Sequence, residues 1–84
     1  MMILAQTGQN DQAIRHGRQL VELDPKSFDA RFNLGILLVA QRRYADGIAQ
    51  LREAQKLRPD DARPGEQIRQ AEAALSRARL RGPR

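Results

Sequence analysis

The chain has 84 residues, a formal charge of +5 and no cysteine. That length supports one small domain and excludes two independent cores, and the missing thiols exclude disulfides and thiolate metal sites. With 40% hydrophobic residues and only Phe28, Phe32 and Tyr44 as aromatics, stability must come from packing of aliphatic side chains on helix-forming residues, so an all-α fold is expected.

The longest apolar run, Met1 to Ala5, falls far short of the roughly 18 residues of a membrane span, and no basic residue precedes it as in a signal peptide. A cytoplasmic protein is the expectation. Next, Thr7-Gly8-Gln9-Asn10 places a glycine where a helix can end in the left-handed conformation, which predicts a turn and then a helix from Gln9 to Leu23. Leu23-Asp24-Pro25 stops that helix, because proline disfavours helical geometry in the residue before it. Ser27 is placed to cap the next helix, Phe28 to Gln41. Arg42-Arg43 leaves room for a tight turn before a helix from Tyr44 to Leu57, and Leu57-Arg58-Pro59 repeats the stop signal. Asp60 or Asp61 then caps a last helix that has Pro64 in its first turn. Its stripe of Ile68, Ala71, Leu75 and Ala78 makes it a single amphipathic helix, ended by Gly82-Pro83.

Pro25 and Pro59 stand 34 residues apart, and the same shift superposes Leu4 on Leu38, Ile14 on Ile48, Arg18 on Arg52 and Leu23 on Leu57. Apolar character also carries over at Met2/Ile36, Ile3/Leu37, Ala5/Val39 and Leu20/Ala54. The chain is therefore internally repetitive. Small residues at Gly35, Gly47 and Ala54 predict close helix approach, with Leu34, Leu38, Ile48 and Leu51 filling the seam.

A 34-residue helix-turn-helix period with this punctuation resembles the tetratricopeptide repeat, whose pattern is Trp-x2-Leu-Gly-x2-Tyr, then Ala-x3-Phe, then Pro. Leu34-Gly35 stands at the Leu-Gly core of that motif, and Ala54 and Pro59 complete it. Leu38 replaces the aromatic, Gly47 the alanine and Leu51 the phenylalanine, while Arg31 departs from the usual tryptophan. The resemblance implies a right-handed superhelical stack of antiparallel helix hairpins. It divides the chain into a partial first repeat (1–27), a complete repeat (28–61), a capping helix (62–81) and a frayed tail (82–84). Met1 corresponds to Gly35, and Gly17 stands where Leu51 does.

The resemblance further implies a non-catalytic module for protein–protein interaction, a scaffold without a cofactor. Its concave face would be formed by Asp29, Phe32, Asn33, Ile36 and Val39, with Arg63, Gln67 and Gln70 from the cap. That face suits an extended or helical peptide bearing an acidic group. Asn33 also matches the central asparagine of the carboxylate clamp found in some family members, but the rest of the clamp is missing apart from Arg63. Because stacked repeats need neighbours to bury their faces, Met1, Ile3, Leu4, Ile14, Leu20 and Val21 are expected to pair with a second copy, as a dimer or domain swap, or with further repeats of a longer array.

No residue set supports catalysis: His16 is the sole histidine, and it has no nucleophile, carboxylate pair or phosphate loop to work with. Neither metal ligands nor cofactor motifs are recognisable. The alternative function is binding of nucleic acid or an anionic surface through Arg77, Arg79, Arg81 and Arg84, although no aromatic is interleaved there to stack a base.

Overall fold

Proline punctuation and aliphatic spacing together produce four helices among the described residues, α1 (Met2–Leu23), α2 (Phe28–Ala40), α3 (Tyr44–Leu57) and α4 (Arg63–Leu80). These come from a computed structural model that describes residues 2–80, with side chains described for residues 8–79. α2 packs on α1 and α3, α3 packs on α4, and α2 also touches α4. Such a chain of neighbours is a helical stack of tetratricopeptide-like form.

Side-chain capping opens α2 as expected, the Ser27 hydroxyl accepting from the Ala30 amide at 3.1 Å. α2 ends in a Schellman arrangement: the Arg43 amide donates to the Leu38 carbonyl and the Arg42 amide to Val39. This geometry needs a left-handed residue, and Arg42 takes it with φ 64°. At the start of α4, Asp61 rather than Asp60 accepts from the Arg63 amide, and Pro64 is fully buried in the first turn.

α2 is apolar nearly all round, which suits a helix covered on several sides. Towards α1 it buries Leu34 and Leu38 against Ile14, with Val21 and Leu37 at the margin. Towards α3 and α4 it contributes Phe32, Ile36 and Val39, which pack around Ile48, Leu51, Ile68 and Ala71. The contact between α2 and α3 is made by glycine on both sides. A Cβ on Gly35 would lie 2.7 Å from Leu51 Cγ, and one on Gly47 would lie 2.6 Å from Val39 Cγ2 and 2.9 Å from the Gly35 carbonyl oxygen. Gly17 plays a related part in α1, where an added Cβ would meet Leu34 Cδ1 at 3.2 Å. Leucine in one copy thus answers to glycine in the other.

One expectation is corrected. Thr7 to Asn10 do not form a turn, and α1 runs unbroken from Met2 to Leu23. Glycine permits the left-handed conformation without imposing it, and Gly8 does not adopt a positive φ. Among the described residues nothing lies within 4 Å of a Cβ built on Gly8, and the continuous helix keeps its backbone hydrogen bonds.

Candidate partner-binding face

The candidate face grows from two phenylalanines one helical turn apart on α2. Phe28 and Phe32 stack with centroids 5.6 Å apart and planes 9° from parallel. Two guanidinium groups cover them: Arg58 lies 4.4 Å from the centre of Phe28, while Arg63 lies 5.5 Å from Phe28 and 5.1 Å from Phe32. Asp61 fixes Arg63 from the other side, accepting from Nε at 3.0 Å and from Nη2 at 2.7 Å. Planar bidentate geometry of this kind orients a guanidinium more firmly than a single contact does.

Hydrogen bonds from the Arg63 side chain and then its amide lower the Asp61 carboxyl from its ordinary 3.8 to about 2. Asp61 in turn, with a smaller contribution from the field of Asp29, raises Arg63 above the usual arginine value. Since the folded-state carboxyl titrates below the unfolded one, ionised Asp61 stabilises the fold above pH 3.8, and this contribution is lost as pH falls through about 2. Asp61→Asn is therefore expected to be destabilised at pH 7 and to converge on wild type near pH 2. Urea unfolding across that range checks this, and an identical difference at both ends would contradict it.

Of the residues expected on this face, Asp29, Asn33, Arg63 and Gln70 are exposed, and Phe32, Ile36 and Gln67 are half-buried. Phe32 and Ile36 divide their surface between the core and solvent. Val39 is half-buried as well, and its Cγ2 packs at Gly47 in the hairpin seam. The resemblance did not point to Phe28, Arg58 or Asp61. The Phe28/Phe32 pair was readable as an i,i+4 neighbour, but the approach of Arg58 and Asp61 depends on how the linker between α3 and α4 runs.

A second depression joins the face on the α1 side, lined by Leu20, Asp24, Ser27, Asp29, Ala30 and Asn33. Leu20 is 41% exposed there. It was expected at a self-association surface, yet it sits beside two residues expected to bind a partner. Ile14, also expected at that surface, is only 3% exposed and packs with Leu34 and Leu38. The side chains of Met1, Ile3 and Leu4 lie outside the described residues, as do Arg81 and Arg84.

The glycine seam, the Leu34-Gly35 core and the stacked hairpin decide the family together with one comparison: residues 2–62 match the family model for the tetratricopeptide repeat. The chain belongs to the tetratricopeptide repeat family. No curated protein matches it. Tetratricopeptide repeats generally mediate protein–protein interaction and are in general non-catalytic. Among the described residues of this tetratricopeptide module no group of three or more His, Cys, Asp or Glu is placed to hold a metal ion, and no helix is long and apolar enough to cross a membrane.

Proposed function

We propose that this tetratricopeptide module holds a peptide or partner helix across α2 and the start of α4, with Phe32, Asn33 and Arg63 as the principal contacts. The observation that supports this reading is Arg63, whose guanidinium lies 5.1 Å from the centre of Phe32 and donates two hydrogen bonds to Asp61 before any partner arrives. A group fixed in advance loses little side-chain entropy on binding, and with its charge matched by Asp61 its remaining N–H donors favour a neutral acceptor such as a peptide carbonyl. Asn33 adds an amide, Gln67 and Gln70 extend the polar edge, and Leu20 offers an apolar neighbour beyond Asp29.

Capture of partners by wild type and Phe32→Ala in parallel tests the proposal. Truncating an aromatic anchor in a binding face typically weakens affinity by about 2 kcal/mol or more, so a partner held by this face is expected to be retained by wild type and lost from the variant. Equal recovery by both proteins would contradict it.

Self-association is the second reading, favoured by Leu23, which is 82% exposed at the end of α1 beside Leu20 and the half-buried Val21. With Ile14 inside the core, the surface supporting it shifts to the C-terminal turns of α1.

A further inference from the structure

Arg42 occupies a backbone position that favours glycine. Its φ of 64° places it in the left-handed region, at the residue after the cap of α2, where a side chain brings steric strain. The same register position in the earlier copy carries Gly8. An arginine held in a strained conformation invites the question of what its side chain does.

Arg42, Tyr44, Ala74, Leu75, Arg77 and Ala78 together line a shallow depression between the start of α3 and the end of α4. Leu75 and Tyr44 are half-buried, so apolar surface remains open to a ligand. Neighbouring cations are neutralised locally: Arg43 pairs with Asp46 at 3.3 Å and Arg52 with Glu72 at 2.8 Å. Neither Arg42 nor Arg77 pairs with a carboxylate among the described residues. Arg79 flanks the other side of Leu75 and is likewise unpaired among them.

We infer that this depression is a second docking site, separate from the α2/α4 face, for an acidic amphipathic peptide that seats an apolar side chain on Leu75 and sets carboxylates against Arg42 and Arg77. Charge complementarity selects the occupant. Unpaired guanidinium groups beside apolar lining residues match carboxylates flanking an apolar side chain, and the net charge of +5 adds attraction at longer range. A phosphate polymer would use the cations and leave the apolar lining uncovered.

The test uses the whole chain and a short synthetic helical peptide with leucines on one face and glutamates elsewhere, titrated calorimetrically. Wild type is expected to bind it, and Arg42→Gly combined with Arg77→Gln to weaken binding by about tenfold, as the loss of two ion pairs implies. Arg15→Gln, which removes an exposed cation of α1, is expected to change affinity less than about twofold. Arg42→Gly alone separates binding from folding: relief of the left-handed strain is expected to raise Tm by roughly 4–8 °C while affinity falls. Unchanged affinity in the double variant would overturn the inference. So would peptide binding that survives replacement of its leucines by alanine, or tighter binding of a single-stranded oligonucleotide or phosphatidylserine vesicle than of the peptide. A lower Tm for Arg42→Gly would remove the strain argument on which the assignment of Arg42 rests.

Discussion

Gly47→Leu is expected to lower Tm by at least about 12–24 °C, the shift that roughly 3 kcal/mol produces in a domain of this size. The position has no room for even one carbon, because a Cβ there would lie 2.6 Å from Val39 Cγ2 and 2.9 Å from the Gly35 carbonyl oxygen. The second contact is with backbone, which cannot rotate aside as a side chain can, so α2 and α3 must separate. Separation also uncovers Leu51 and Ala54, both 0% exposed, and adds lost burial to the overpacking. Against a total stability of about 4–12 kcal/mol for a chain of this length, the variant is near the limit of folding. Gly8→Ala supplies the contrast. Among the described residues nothing lies within 4 Å of a Cβ built there, so in a continuous helix the substitution gains about 0.5–1 kcal/mol of helix propensity and raises Tm. Circular dichroism melts of the pair check both signs, and a Gly47→Leu protein that melts with wild type would show that the seam is not the close contact described.

Leu34→Ala is expected to cost about 2–5 kcal/mol through lost burial and the cavity left behind. Leu34 is 1% exposed and meets α1 at two points, packing with Ile14 and standing 3.2 Å from where a Cβ of Gly17 would be. Much of the loss should fall on the docking of α1, since α2 and α3 keep their own glycine seam. Hydrogen exchange therefore distinguishes this variant from Gly47→Leu: amides of α1 should lose protection first while α3 stays protected. Uniform loss of protection across all four helices would contradict that division.

Those two sites also show what the sequence made legible. Helix ends at Pro25 and Pro59, the Ser27 cap, the 34-residue period and the Gly35/Gly47 seam follow from local sterics, and each lies where proline, serine or glycine is the simplest solution. The turns behaved differently. A turn was expected at Thr7 to Asn10 because glycine was there, yet α1 is continuous, while the turn after α2 formed with Arg42 in the conformation glycine prefers. Turn residues state what a backbone can do, and tertiary contact decides what it does: α2 and α3 have a seam to close, whereas among the described residues nothing lies within 4 Å of a Cβ built on Gly8. The candidate face was legible only in part. The family resemblance implied that Asp29, Phe32, Asn33 and Val39 share a face, but it does not tell how far each is drawn into a seam, and the half-buried Val39 packs at Gly47. Arg58 and Asp61 reach Phe28 and Arg63 through the path of a linker, which leaves no periodic signal.

Partner binding on the face where Arg63 lies over Phe32 is tested by chemical-shift mapping of the isotope-labelled chain, titrated with the partner captured by wild type. The largest perturbations are expected at the amides of Asp29, Phe32, Asn33, Arg63, Gln67 and Gln70, with Arg63 side-chain resonances shifting as its free donors engage. Perturbations confined to other surfaces, with this set unmoved, would contradict it.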